Sequence, residues 1–195
     1  MNKIHVPENK IFLPNDAKRR ILFTGSAGVG KSTTADTLTK ITGIPHIHTD
    51  LLVVNPDYSY VPEEVFVKRV LEFLRNNPEW IIDGHTFGQN PDLFNFIYNM
   101  AEQVIDFDFT QEESIKGFSE RMLNIKRGIA PHSIHVTSNY TSDYTYNLGM
   151  KHLNYLAKKF ADLRKERIFG DKVRKITSHA QLNQYLFEFC QTNTP

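Results

Sequence analysis

The chain has 195 residues, 40% hydrophobic and 23% charged, with a formal net charge of +1. That is the make-up of an ordinary globular domain, and it supplies no global field to recruit nucleic acid or an acidic membrane. A single cysteine, Cys190, excludes an internal disulfide and a cysteine-built zinc site, and no apolar run approaches the roughly 20 residues of a membrane span.

Residues 1–18 are polar and interrupted by Pro7 and Pro14, and read as an N-terminal arm ahead of one domain over 19–195. The first residues lack the apolar stretch of a signal peptide, so the sequence reads as cytosolic, with no membrane partner. Arg20 to Thr24 is a short apolar run ending at a glycine, which predicts a buried strand. A glycine-rich turn follows, then a helix over Ser32–Ile41 that Gly43 stops. Pro45–Thr49 predicts a second strand, 51–62 a loop, and Glu63–Arg75 an amphipathic helix with Val67, Val70, Leu71 and Leu74 on one face. Trp80–Gly84 predicts a third strand, 91–100 a helix, Val104–Phe109 a fourth strand and Glu112–Lys126 a helix. Residues 128–142 read as a long loop and 147–168 as a basic helix. Val173–Ile176 predicts the fifth strand, and Ser178 opens the last helix. Strands alternating with helices imply an α/β fold, a parallel sheet covered on both faces. Ligands of such sheets bind at the carboxyl ends of the strands.

The turn after the first strand, Gly25-Ser26-Ala27-Gly28-Val29-Gly30-Lys31-Ser32, fits G-x-x-x-x-G-K-[ST] at every fixed position. Its glycines let the backbone curl its N–H groups around a phosphate, and the next helix points its positive end at the same anion. Lys31 is expected to reach the β- and γ-phosphates, and the Ser32 hydroxyl to ligate Mg²⁺. The sequence thus predicts binding of a nucleoside triphosphate with magnesium.

Two carboxylates follow predicted strands. Asp50 comes after the second and is open to three roles: water-mediated Mg²⁺ ligation, a base toward an acceptor, or a hydrogen bond to a substrate hydroxyl. A plain helix or turn cap is the structural alternative. Asp83 stands where a Walker-B aspartate holds Mg²⁺ through water, with a buried turn aspartate as the alternative. Gly84 permits close backbone approach, and His85 is placed to face an acceptor. Arg121, Lys126 and Arg127 sit on the helix before the long loop, where cations neutralise transition-state charge at the γ-phosphate. His46, His48, His132 and His135 lack an i,i+4 helical pair and read as structural or solvated rather than as a metal set. Phe94, Phe96 and Tyr98 read as core, whereas Tyr140, Tyr144 and Tyr146 are open to a base-stacking role.

Gly30-Lys31-Ser32-Thr33, His48-Thr49-Asp50 and Trp80-Ile81-Ile82-Asp83-Gly84-His85, at their spacing, resemble the adenylate-kinase-like P-loop proteins of the topology modulation (FlaR-related) group. The likeness runs over about residues 20–190. It implies a three-layer P-loop fold with a five-stranded parallel sheet of nucleoside-monophosphate-kinase topology, a lid around 128–145, and ATP with Mg²⁺. It carries Asp50 to the acceptor side, Asp83 to the magnesium side, Thr33 to the phosphate-binding turn, and Arg121 and Arg127 to lid-helix phosphate contacts. Val53-Val54, Ala130 and His85 depart from the residues usual there.

The expected activity is transfer of the γ-phosphoryl of ATP to a nucleoside monophosphate or similar small acceptor, with Lys31, Asp50, Asp83, Arg121 and Arg127 as catalytic candidates. The alternative is an NTPase or nucleotide-gated module acting on a macromolecular partner. Neutral charge and the absence of a DNA-binding motif argue against nucleic acid.

Overall fold

The computed structural model of the chain describes residues 19–53, 55, 61–84, 90–127 and 170–193. The expected arm, the lid, the basic helix over 147–168, His85, His132, His135 and the three later tyrosines lie outside these residues. In chain order the elements are β1 (Arg20–Gly25), α1 (Lys31–Thr42), β2 (His46–His48), α2 (Thr49–Leu52), α3 (Glu63–Asn76) and β3 (Trp80–Asp83). Then come α4 (Pro91–Met100), β4 (Gln103–Phe107), α5 (Gln111–Lys126), β5 (Val173–Ile176) and α6 (His179–Asn193). The strands form one parallel five-stranded sheet in the order β2-β3-β1-β4-β5, which is the expected α/β class.

Two compact units divide these residues, one within Met1–Phe23, Ser32–Val104 and Asn193–Pro195, the other within Thr24–Lys31 and Ile105–Thr192. In the first, Ile21, Leu22 and Phe23 are consecutive and all buried, as are Trp80, Ile81 and Ile82. Strands covered on both faces read as unbroken apolar runs, which is why the short runs were legible. Register pairs Arg20 with Trp80 and Leu22 with Ile82, and His46 with Ile81 and His48 with Asp83. Helix α3 buries Phe66, Val67, Val70, Leu71 and Leu74, a stripe at helical spacing. Asn90 caps α4: its side chain accepts from the Leu93 N–H at 2.7 Å and donates to Glu63 Oε1 at 2.7 Å, with Pro91 in the first turn. Gly43, at φ +73°, ends α1 by donating to the Thr39 carbonyl at 2.8 Å.

In the second unit, the Asp108 N–H donates to the Ile176 carbonyl at 2.9 Å beside β5. Helix α6 buries Leu182, Tyr185 and Phe189, and Arg174 pairs with Glu188 at 2.7 Å.

Two expected boundaries shift. Thr49, expected to end the second strand, and Leu51 and Leu52, expected in the loop, belong with Asp50 to the short helix α2, so β2 keeps only three residues. Strand β4 runs Gln103–Phe107 and leaves Asp108 and Phe109 beyond it. Phe94 is buried as expected for core, while Phe96 and Tyr98 are half-buried. Among the described residues, no helix is long and apolar enough to cross a membrane.

Candidate functional site

The phosphate-binding turn occupies the end of β1 and the start of α1. Gly25, Gly28 and Gly30 all have left-handed φ, at +127°, +80° and +87°, which only glycine adopts without strain. At Gly28 the need is also spatial: a Cβ there would press on the Ser114 carbonyl and the Phe118 N–H of α5. Gly117 meets the same loop from the helix side, where a Cβ would overlap the Gly28 carbonyl oxygen. The buried Ser114 donates its hydroxyl to the Ala27 carbonyl at 2.6 Å. Ser114, Gly117 and Arg121 fall at i, i+3 and i+7, on one face of α5. That face seats the loop and carries the half-buried Arg121 one turn on from Gly117, whereas Arg127 is exposed just past the helix end.

Lys31 Nζ donates to the carbonyls of Gly25 and Ser26, at 3.0 and 2.6 Å, so its ammonium is curled over the loop it follows. Ser26 and Val29 are buried, Ala27 half-buried, and Thr33 exposed, its carbonyl accepting from Thr37. At the foot of the loop the buried Thr24 hydroxyl donates to Asp106 Oδ1 at 3.0 Å, a buried carboxylate at the end of β4.

The other cluster gathers around Asp83 in the first unit. Its carboxylate is 1% exposed. Ser32 donates to Oδ2 at 2.6 Å. On the other side, His46 Nε2 lies 3.1 Å and His48 Nδ1 2.6 Å from Oδ1. Burial by itself raises the pKa of this carboxyl, but the hydrogen bonds and positive charge of the two histidines outweigh it and hold Asp83 well below the usual carboxylate range. For His48, burial acts downward, and the hydrogen bond and charge of Asp83, with Asp36 and Asp50 beyond, carry its pKa above the ordinary histidine value.

Asp50 is brought to the same strand end. The Asp83 carbonyl accepts from the Thr49 hydroxyl at 2.9 Å, which fixes α2 over the end of β3. Gly84, at φ +107°, makes the approach possible, because a Cβ there would lie 2.5 Å from Thr49 Oγ1, 3.0 Å from the Asp50 nitrogen and 3.1 Å from Asp50 Oδ1. The close approach expected at Gly84 is therefore to α2, and it seats Asp50 beside Asp83.

The structure brings Ser32, Asp50 and Asp83 together. It also adds residues the sequence did not mark as functional: Asp36, His46 and His48 beside Asp83, and Ser114, Gly117, Thr24 and Asp106 beneath the turn. A signal for the first group was present. His46 and His48 are i,i+2 on a strand and so share a face, and Ser32 and Asp36 are one helical turn apart.

The donor set of Ser32 and Asp83 fits magnesium. A hydroxyl and an ionised carboxylate oxygen within 2.6 Å of each other are hard oxygen ligands, and Mg²⁺ takes few protein oxygens and keeps several waters.

No protein-family model matches the chain, and no curated protein matches it. Solved structures do, at low identity. A gluconokinase from Sinorhizobium meliloti 1021 superposes with a TM-score of 0.53 at 10% identity, over 91% of this chain and 94% of its own. A shikimate kinase from Bacteroides thetaiotaomicron gives 0.58 at 13% identity, over 89% and 97%. A deoxyadenosine kinase from M. mycoides, solved with bound dATP, gives 0.56 at 13% identity, over 89% and 98%. With the phosphate-binding turn between β1 and α1 and the strand order above, this likeness establishes that the chain has the P-loop kinase-like fold.

Proposed function

We propose that the protein is an ATP-dependent kinase that transfers the γ-phosphoryl group to a nucleoside monophosphate or similar small acceptor. The observation that carries the reading is the hydrogen bond between Ser32 Oγ and Asp83 Oδ2, at the start of the helix that follows a complete phosphate-binding turn. The kinases whose fold it shares are each named for a small substrate, which supports the same class of acceptor here. The three-part match at Gly30–Thr33, His48–Asp50 and Trp80–His85 supports the finer placement in the topology modulation group.

In this reading the backbone N–H groups of Gly25 to Gly30 hold the phosphates. Lys31 leaves the carbonyls of Gly25 and Ser26 to neutralise the β- and γ-phosphate oxygens. Ser32 and, through water, Asp83 would hold magnesium, which would supply positive charge to the phosphates when bound. Where the acceptor is a hydroxyl, Asp50 accepts its proton as the oxygen bonds to the γ-phosphorus; where it is the phosphate of a nucleoside monophosphate, the attacking oxygen is already anionic and Asp50 orients the acceptor. The bond from that phosphorus to the bridging oxygen breaks, and ADP carries away the electron pair. Arg121, on the face of α5 that seats the loop, stabilises charge on the transferring group, and Arg127 takes the corresponding place at the lid. Positioning and electrostatics supply the acceleration.

The test is ADP release from Mg-ATP with a panel of nucleosides, nucleoside monophosphates and small hydroxy compounds. Strong stimulation by one acceptor, with a product heavier by one phosphoryl group, is the expected result. Slow, acceptor-independent hydrolysis would replace the kinase reading by a nucleotide-gated module acting on a macromolecular partner.

A further inference from the structure

Asp83 Oδ1 can only accept while the carboxyl is ionised, so the two imidazole nitrogens facing it, His46 Nε2 and His48 Nδ1, carry hydrogen. The remaining nitrogens, His46 Nδ1 and His48 Nε2, both turn to one oxygen of Asp36, at 3.2 and 3.9 Å. In a neutral imidazole that second nitrogen is a lone pair. Two ring nitrogens and a carboxylate oxygen thus face one another, with both rings held from behind by Asp83.

We propose that Asp36, His46 and His48 form a binding site for a divalent transition-metal ion of the zinc class. Their ligand atoms lie within 4.8 Å of one another. Tetrahedral zinc, with bonds of about 2.0–2.1 Å, sets its ligand atoms about 3.3 Å apart. The His46–Asp36 pair is already at that spacing, and the His48–Asp36 pair needs a movement of about half an ångström, which an exposed Asp36 side chain can make. Asp83 performs the supporting role that metal-bound histidines almost always find, a carboxylate that receives the second N–H and fixes tautomer and ring orientation. Here one oxygen does so for both rings. Two imidazoles with one carboxylate select zinc, cobalt or nickel over magnesium, which prefers oxygen alone. The side chains of Asp36 and His48 are 57% and 24% exposed, so solvent reaches the fourth position and the ion has a way in.

The site does not rest on the kinase reading. It engages Oδ1 of Asp83 and leaves Oδ2 to Ser32. Its consequence is mechanical: an ion there ties the second turn of α1 to β2 and holds the carboxylate on which Ser32 depends.

Titration calorimetry of Zn²⁺ into the nucleotide-free full chain, with Mg²⁺ in excess, tests it. One saturable site per chain is expected, and Co²⁺ in its place is expected to give visible ligand-field bands. Asp36→Ala removes an exposed side chain and leaves the core untouched. It and His48→Ala are each expected to weaken Zn²⁺ binding by at least the roughly 10–100-fold seen when a supporting residue is lost. His179→Ala, at an exposed histidine in the other unit, is expected to leave affinity unchanged. Absence of saturable binding in the parent chain, or parent-like affinity in either Asp36→Ala or His48→Ala, overturns the proposal.

Discussion

Ser32 Oγ donates a 2.6 Å hydrogen bond to Asp83 Oδ2, joining the first turn of α1 to the carboxyl end of β3. Asp83→Asn keeps the shape and removes the charge. Its expected effect is a loss of Mg²⁺ affinity by about 10–100-fold in the presence of nucleotide, while ATP binding without metal changes little. A magnesium titration of turnover, with ATP affinity measured in chelator, separates the two. Parent-like magnesium dependence would remove Asp83 from the metal side.

Lys31 Nζ is held by the carbonyls of Gly25 and Ser26. Charged hydrogen bonds contribute about 1.5–3 kcal/mol each, so Lys31→Ala is expected to weaken ATP binding by at least roughly 10-fold with circular dichroism unchanged. Calorimetry with ATP decides, and an undiminished affinity would count against phosphate binding by the turn.

Gly117→Ala puts a methyl group into the Gly28 carbonyl. Overpacking costs about 1–3 kcal/mol. Taken from the loop's phosphate-binding shape, that is roughly a 5- to 150-fold loss of ATP affinity. The same change raises helix propensity in α5, so a weaker ligand in a chain of undiminished helicity is the expected pattern.

Asp50→Asn is expected to lower phosphoryl transfer to a hydroxyl acceptor by about 10²–10⁴-fold, the range of general base catalysis, with ATP affinity within a few-fold of the parent. Single-turnover transfer, measured beside nucleotide binding, gives the split. Equal transfer would leave Asp50 as an acidic residue of the first turn of α2.

Asn90→Ala tests the fold apart from the chemistry. It removes the cap of α4 and the bond to Glu63, and is expected to cost about 1–2 kcal/mol. The urea midpoint should fall with its slope unchanged.

The chain's local order was legible because its signals are local. The runs Ile21-Leu22-Phe23 and Trp80-Ile81-Ile82 mark strands buried on both faces. The spacing of Phe66 to Leu74 marks α3, and the glycines with Lys31 and Ser32 mark the turn. Two boundaries were misjudged where an apolar or polar run crosses a change of element. Thr49 reads as strand by propensity, but its hydroxyl is taken by the Asp83 carbonyl and it opens α2 instead.

The sequence by itself determined the phosphate-binding turn, the alternation of strands and helices, and Asp50 and Asp83 as candidates, because each depends on residue type and spacing within a few positions. Only the tertiary structure decided that β2 lies against β3 with His48 opposite Asp83, and that Gly117, nearly 90 residues further on, seats Gly28. The pairing of β2 with β3 turned two histidines that share a strand face, and an aspartate one turn past Ser32, into a single cluster. Strand order and register are set by packing between segments far apart in the chain, so no local pattern around His46 or Asp36 records which partner they meet.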